Sequence, residues 1–401
     1  MKRKRHRYDF SCLILLLLTT ELFSCTLIEI PNIIFNIGWV IVFLYALKHY
    51  NRRKLDSIDK IAIVLLTIPF VSCIGAYLYH GQSIINTVLA STSAFFYFYY
   101  FFLKYNKKKA PHTIISTLLL LGIIYTTLEV VEQINFPNLT FGVINDGIDG
   151  TEVRNGLYRI RILGSSLPIF SLFYSYYRLR NKIKPYYLFL FIYSLIGIYM
   201  TGTRQLIASS LLVILLNFLY GIRKKINITA VLLMLTLGFL LYSNMDKLFG
   251  DMIEDTSQVD ENYSRFRSYS YYGYEGNLGH NIAILLGNGQ PYAESSYGRE
   301  TIKLQPQGIY ASDVGIVGLY YYHGIILLIT VLYFYYYIYK NRSNLPSFLN
   351  MYVLFCFVTS ILQYHFEKHY YDVTFMSVIL YLCGFYINKN KYMQLQERKK
   401  S

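Results

Sequence analysis

The chain has 401 residues, 54% of them hydrophobic, and its mean hydropathy of +0.33 is too high for a soluble protein of this length. The net charge of +15 does not indicate nucleic-acid binding, because the basic residues form short clusters beside apolar runs rather than one basic face. Composition therefore excludes a soluble domain and makes the lipid bilayer the first expected partner.

Apolar runs long enough for membrane spans recur along the whole chain. A transmembrane helix needs about 20 mostly apolar residues. Runs of Leu, Ile, Phe and Tyr without alternation favour helices over a barrel. We predict about twelve spans, near residues 10–30, 32–47, 58–79, 84–103, 113–134, 162–178, 186–201, 203–221, 226–243, 312–339, 348–364 and 371–388. The predicted fold is an all-α polytopic membrane protein whose residues 1–401 form a single integral membrane domain.

The distribution of Lys and Arg predicts the orientation of these spans. Cytoplasmic loops carry an excess of basic residues. Most of the 38 Lys and Arg precede the first span or follow an even-numbered one, as Arg223, Lys224 and Lys225 do. Both termini are therefore predicted to be cytoplasmic in a multi-pass protein of the cytoplasmic (inner) membrane. Two longer segments, 135–161 and the large loop 244–311 between spans nine and ten, are predicted to be extracytoplasmic.

The few basic residues outside the cytoplasm are mostly arginines. They are Arg154, Arg159, Arg161, Arg204, Lys247, Arg265, Arg267, Arg299, Lys303 and Lys368. The planar guanidinium group suits binding of phosphate or carboxylate, whereas surface ion pairs with nearby Asp and Glu are the alternative. Arg204 follows Gly202 between two apolar runs, where a charge usually faces a cavity, although snorkelling to the interface would also place it there.

Three further polar groups lie in the predicted outer segments. Asp313 precedes span ten, where a carboxylate acts as a general base or as a helix N-cap, and the two roles are compatible. His280 and Asn281 precede a Leu286-Gly-Asn-Gly289 sequence, in which glycines permit close backbone approach. A His365, Glu367, His369 and Asp372 set could bind zinc, but its spacing matches no metalloenzyme helix pattern.

Taken together, these motifs resemble those of the Wzy-type O-antigen or capsular polysaccharide polymerases, within the O-antigen polymerase/ligase superfamily. Thr201-Gly-Thr-Arg204 opens a span, Arg265 and Arg267 precede the Gly-Asn-Gly289 segment, and Asp313-Val-Gly-Ile-Val-Gly318 leads into Tyr-Tyr-His323-Gly324. The number of spans and the late, dominant outer loop are also similar. Ligases carry a His-Asn pair before the span where this chain has Asp313, and this difference favours a polymerase.

The resemblance implies glycosyl transfer on the outer membrane face from an undecaprenyl-diphosphate-linked oligosaccharide, without a cofactor, metal or nucleic acid. It also implies a flippase and a chain-length regulator of the same pathway as partners. Arginines would stabilise the departing diphosphate, and a base would accept the proton of the acceptor hydroxyl. On this basis the catalytic residues are Arg204, Arg265 and Asp313, and the substrate-binding residues are Arg154, Arg159, Arg161, Arg267, His280, Arg299 and His323.

Two other functions stay open on the sequence alone. An O-antigen ligase-like glycosyltransferase would have the same architecture. A twelve-span flippase or transporter of lipid-linked oligosaccharide is the alternative outside the enzymes. Such a transporter would be expected to consist of two related halves. A long outer loop would not be expected in a transporter of this kind.

Overall fold

A computed structural model describes residues 21–23, 25, 32–48, 55–106, 111–144, 146–147, 150–151, 153–154, 156–222, 264–363, 365–366 and 369–398. These residues are mostly helical. The helices are α1 (Asn32–Lys48), α2 (Ser57–Val71), α3 (Cys73–His80), α4 (Ile84–Ala90), α5 (Phe98–Tyr105), α6 (Pro111–Asn135), α7 (Ser166–Asn181), α8 (Pro185–Met200), α9 (Arg204–Ile222), α10 (Ser264–Gly273), α11 (Asn281–Leu286), α12 (Ser296–Leu304), α13 (Gly315–Lys340), α14 (Ser347–Thr359) and α15 (Tyr370–Arg398). Five short 3₁₀ helices lie between them, over Thr92–Tyr97, Glu275–Asn277, Gln305–Gln307, Ala311–Asp313 and Arg342–Asn344.

Four helices of the described chain are long and apolar enough to cross a membrane. They are Ser57–His80, which joins α2 and α3, Pro111–Asn135, Gly315–Lys340 and Tyr370–Gln394. Shorter apolar helices cover Asn36–Lys48, Pro185–Met200, Arg204–Tyr220 and Ser347–Thr359. The protein is thus helical and rich in apolar helices, as predicted for a membrane protein, while the number of crossings stays a prediction. The predicted span 226–243, most of 10–30 and residues 244–263 lie outside the described residues.

One predicted span, 84–103, is not a single helix. It consists of α4, the 3₁₀ helix Thr92–Tyr97 and α5. The break coincides with consecutive Ser and Thr residues, whose hydroxyls compete with the helix for backbone groups. The Thr92 hydroxyl donates to the Leu89 carbonyl at 3.1 Å and lies 3.0 Å from the Tyr370 hydroxyl. The interruption therefore joins this region to the start of α15.

At one end of the helices, a buried polar cluster joins α2, α5 and α15. The Lys104 ammonium group donates to Asp56 at 3.0 Å and also to Asp59. Tyr100 donates to Asp59 at 2.7 Å, and Asn388 donates to Asp56 at 3.1 Å. Asp59 is only 3% exposed, and a carboxylate buried this deeply requires such partners. Lys104 follows the predicted span 84–103 and so belongs to the basic residues predicted to be cytoplasmic, and it also neutralises a buried acid.

The segments that the sequence assigns to opposite membrane sides lie at opposite ends of the helices. Asp56 begins α2, and its cluster includes the C-terminal part of α5 and Asn388 of α15. His80 ends α3 at the far side, where Gln82 accepts a hydrogen bond from the Tyr292 amide at 2.9 Å. The charge rule assigns the Lys104 end to the cytoplasm.

Reporter fusions test this orientation. Fusions at Asn106, Lys182, Lys224 and Asn341 are expected to be fluorescent with a reporter that folds only in the cytoplasm. Fusions within 135–161 or 244–311 are expected to be active with a phosphatase that folds only outside, because each such loop follows an odd-numbered predicted span. A cytoplasmic signal from residue 290 would contradict the orientation.

The first long segment, 135–161, contains short antiparallel strands that no alternation in the sequence indicated. They are β1 (Val143–Ile144), β2 (Asp146–Gly147), β3 (Gly150–Thr151), β4 (Val153–Arg154), β5 (Leu157–Tyr158) and β6 (Ile160–Arg161), paired β1 with β6, β2 with β3 and β4 with β5. The strands are fixed to α6, since Gln133 donates to the Tyr158 carbonyl at 2.5 Å and accepts from its amide at 3.1 Å. Phe136 also stacks on Tyr158, with ring centroids 3.5 Å apart.

Candidate functional site

Three helices from distant parts of the chain meet at the C-terminal end of α14. Gln205 of α9 donates to the Thr359 carbonyl at 3.0 Å. The Ile316 amide of α13 donates to the Ser360 carbonyl at 2.7 Å. The Tyr269 hydroxyl of α10 donates to the Ile361 carbonyl. We call residues 201–205, 265–269, 313–316 and 359–361 the outer junction, because the charge pattern predicts that this end of the helices is extracytoplasmic, and they include Arg204, Arg265 and Asp313.

Two glycines allow this approach. Gly315 has φ +46°, and a Cβ atom at this position would lie 2.1 Å from the Ser360 carbonyl oxygen. Only glycine therefore fits where α13 begins against α14. Gly202 has φ +59° in the turn between α8 and α9, a left-handed conformation that glycine adopts without strain. Arg204 is the first residue of α9 after this turn and is partly exposed.

Of the arginines of the first long segment, Arg159 lies beside the junction. A Cβ atom on Gly202 would be 3.9 Å from Cγ of Arg159, so Arg159 lies against the turn that precedes Arg204. Arg161 contacts His369, with 3.4 Å between Nη2 and Nε2. The backbone of Arg154 pairs in β4, further out along the segment. The structure thus places Arg159 beside the turn that precedes Arg204, whereas the contact of Arg161 is with His369.

The other predicted arginines differ in position. Arg265 is partly exposed and near Tyr269. Burial raises the pKa of Tyr269, and the charge of Arg265 partly opposes this rise. Arg267 is exposed on the same helix. Arg299 is exposed on α12, whose Tyr297 stacks on His80 of α3. Arg299 therefore belongs to a different contact region from the junction.

The carboxylate of Asp313 has no capping role in this structure. Asp313 is the last residue of the 3₁₀ helix Ala311–Asp313, and the N-cap position of α13 is Val314, which makes no side-chain cap. The Asp313 carboxylate accepts a hydrogen bond from the Ser312 hydroxyl at 3.1 Å and is partly exposed. Of the two roles considered from sequence, the capping role is not observed, and the role as general base stays a prediction.

A second polar cluster, which we call the imidazole pair, contains His80 and His280. Both rings lie against the fully buried Asn288 side chain: His80 Nε2 is 3.2 Å and His280 Nδ1 is 3.1 Å from its Oδ1. Tyr79 stacks on His280 with centroids 4.2 Å apart, and Tyr297 stacks on His80 at 3.8 Å. The stacked rings and the shared amide oxygen fix both imidazoles in place.

Hydrogen bonding also determines which ring nitrogens carry protons. The Asn288 Nδ2 group donates to Asn277 at 2.7 Å and to the Tyr321 carbonyl at 3.3 Å. Its Oδ1 must then accept from both imidazoles, because an amide oxygen cannot donate. His280 is therefore protonated on Nδ1, which leaves Nε2 of the neutral ring as a proton acceptor, an arrangement suited to a general base.

His323, predicted to bind substrate, has no exposed surface. Its Nδ1 lies 3.3 Å from the Ser72 hydroxyl and its Nε2 lies 3.5 Å from the Gln290 amide nitrogen. These contacts place it between α13, the α2–α3 connection and the segment after α11. Direct contact with a substrate would require rearrangement, so the observed position favours a structural role.

Of the four residues considered for zinc, the structure describes His365, His369 and Asp372. Within the described residues, no three His, Cys, Asp or Glu side chains are close enough to hold one. The Nε2 atom of His365 is 2.6 Å from the Thr359 hydroxyl, and burial lowers the pKa of His365 to about 4. His365 is therefore neutral at physiological pH and acts as a fixed contact below the junction. Glu367 is outside the described residues.

Sequence reading missed His80, Gln82 and Asn288 as parts of a cluster. Asn288 was noted only within a glycine motif, and its contact to His80 spans 208 positions. Gln82 accepts hydrogen bonds from the Tyr292 amide at 2.9 Å and from the Ser295 hydroxyl at 2.6 Å. The sequence signal that could have indicated this cluster is the presence of His80 and Gln82 in a short loop between two apolar runs.

Comparison with known proteins gives no family for this chain: no protein-family model matches it, and no curated protein matches it.

Proposed function

We propose that this protein is a polysaccharide polymerase. It joins oligosaccharide repeat units carried on undecaprenyl diphosphate at the outer face of the cytoplasmic membrane. The proposal includes twelve spans, cytoplasmic termini and the two long outer segments. The observation that carries it is the outer junction, where segments holding Arg204, Arg265 and Asp313 meet through contacts to residues 359–361.

The junction has the chemical groups that the reaction needs. The anomeric carbon of the donor sugar forms a bond to an acceptor hydroxyl oxygen and breaks its bond to the diphosphate. Negative charge then develops on undecaprenyl diphosphate. Preorganised cationic groups stabilise such charge most strongly away from water. In the proposed mechanism Arg204 is the principal group in this role, and Arg159, Arg161 and Arg265 assist it.

The acceptor hydroxyl must lose a proton as the new bond forms. The Asp313 carboxylate, which is partly exposed and next to the start of α13, accepts this proton in the proposed mechanism. A side-chain carboxylate within reach of the acceptor hydroxyl is a usual choice of general base. His280 is the alternative proton acceptor, since its Nε2 carries no proton in the neutral ring.

Reconstituted protein tests the proposed activity directly. The purified chain in liposomes, given lipid-linked single repeat units on its outer face, is expected to produce a ladder of longer lipid-linked glycans. Undecaprenyl diphosphate should appear in an amount equal to the number of bonds formed. Transfer of the glycan to a different lipid acceptor without chain growth would instead indicate a ligase. Movement of the single unit across the bilayer without any new glycosidic bond would indicate a flippase.

A further inference from the structure

The long helix α13 is interrupted at Gly324. Gly324 has φ +71° and ψ −177°, which is not helical. The carbonyls of Tyr321 and Tyr322, just before the break, accept hydrogen bonds from the Asn288 and Gly289 amides, each at 2.9 Å. Backbone groups inside a bilayer must find partners within the protein. Here the partners come from the segment that follows α11 rather than from the next helical turn.

That segment, residues 287–290, lies in backbone contact with two apolar helices. A Cβ atom on Gly75 of Ser57–His80 would be 1.9 Å from the Gly287 carbonyl oxygen. A Cβ atom on Gly324 would be 2.3 Å from the Leu285 carbonyl oxygen. Side chains at these glycines would separate the three segments. The close approach therefore holds residues 287–290 between the α2–α3 connection and the break in α13.

The depth of this contact follows from helix geometry. At about 1.5 Å per residue, Gly324 is roughly 13 Å from the start of α13 at Gly315. Gly75 is roughly 8 Å from the end of α3 at His80 by the same rise. Ser57–His80 has 24 residues and is about 36 Å long, and hydrocarbon is about 30 Å thick. Both helices therefore place residues 287–290 within the hydrocarbon layer, in its outer half.

Helix α11 presents an apolar surface beside this contact. Ile282, Ile284 and Leu285 are 42%, 41% and 51% exposed, while Ala283 is buried. The sequence Asn281–Leu286 has no charged residue. The Ile282 amide donates to the Tyr79 hydroxyl of α3 at 3.0 Å. Leu78 of α3 is also exposed. The apolar surface of α11 is therefore continuous with that of Ser57–His80, a helix apolar enough to cross a membrane.

We propose that residues 281–290 form a re-entrant element of the membrane domain. Helix α11 enters the outer leaflet with Ile282 and Leu285 against lipid acyl chains, and residues 287–290 return between α2–α3 and α13. The outer segment is then partly within the membrane rather than wholly above it. As a consequence, His280 lies at the lipid surface, where the headgroup of a membrane-bound substrate would be. The re-entrant placement does not depend on the proposed reaction.

Tryptophan fluorescence can locate α11, because Trp39 is the only tryptophan of the chain. Trp39→Phe keeps an aromatic ring against Phe95, on which Trp39 stacks at 4.3 Å. In this background, Leu285→Trp is reconstituted into liposomes whose lipids carry bromine either near the headgroup or deep in the acyl chains. We expect Leu285→Trp to lose most of its fluorescence, and to lose more with the shallow bromines.

Two matched variants calibrate the measurement. Ile329→Trp, at a 57% exposed site further along α13, is expected to be quenched most by the deep bromines. Tyr274→Trp, at a 68% exposed site between α10 and the next 3₁₀ helix, should respond to aqueous acrylamide and not to bromine. Ile282→Trp replaces Leu285→Trp if the latter does not fold. Quenching of the α11 tryptophan by acrylamide alone would overturn the proposal, as would protection from both quenchers, which would mean that protein covers this face.

Discussion

Replacing Arg204 with alanine is expected to lower polymer formation by about a hundred- to a thousandfold, the usual effect of removing one group that stabilises developing charge. Arg204 begins α9 where Gln205 is bonded to the Thr359 carbonyl. The variant should fold, because the packing surface of α9 lies further along the helix. Protein abundance and lipid-linked single repeats should therefore stay at wild-type levels, while the glycan ladder on a gel disappears.

Arg204→Lys separates charge from geometry. Lysine keeps the positive charge but cannot make the paired hydrogen bonds of a guanidinium group, so we expect this variant to lose most of its activity as well. Arg342→Ala is the matched control, since Arg342 stacks over Tyr339 near the other end of α13, with 4.3 Å to the ring centroid. Normal chain lengths in both Arg204 variants would remove this residue from the site.

Replacing Asp313 with asparagine is expected to reduce polymerisation by about 10²–10⁴-fold, the contribution typical of a positioned general base. Asparagine has nearly the same shape, and its amide oxygen still accepts from the Ser312 hydroxyl, a hydrogen bond of 3.1 Å in the native chain. It cannot take up a proton at neutral pH. Asp313→Ala should be equally inactive and equally well folded, because Asp313 does not cap α13.

Glu294→Gln provides the control for this charge change, since Glu294 is an exposed acid of the same outer segment and should retain full activity. Activity is read as the rate of chain growth on lipid-linked units in liposomes. An active Asp313→Asn enzyme would contradict the base assignment. His280→Ala would then be the next variant to assay, because Nε2 of His280 is the other proton acceptor described above.

Apolar runs located most helices because hydropathy is a local property of the sequence. Span 113–134 corresponds to Pro111–Asn135 and span 312–339 to Gly315–Lys340. Breaks inside apolar runs were not visible. The interruption at Gly324 lies within a run that is apolar apart from His323, and the glycine is required because another backbone approaches it. The interruption of span 84–103 involved hydroxyl groups whose partners lie in α15.

The bias towards arginine on one side drew attention to Arg159 and Arg204, and the structure places Arg159 against the turn before Arg204. The residues that hold the junction were harder to predict. Residues 359–361, which bond to Gln205, Tyr269 and Ile316, were predicted only as part of the span 348–364. The contact between Asn288 and His80 could not be predicted either, because the two residues are 208 positions apart and no local sequence pattern connects them.

The outer junction is fastened by main-chain oxygen atoms of Thr359, Ser360 and Ile361. Every amino acid supplies a carbonyl oxygen, so these three bonds place no requirement on the side chains at 359–361, although the Thr359 hydroxyl has its own contact with His365. The exposed side chain of Ile361, for instance, contributes nothing to the bond that its carbonyl makes. An arrangement of helices that is held by main-chain hydrogen bonds can be retained in distant homologues whose sequences are no longer recognisably similar.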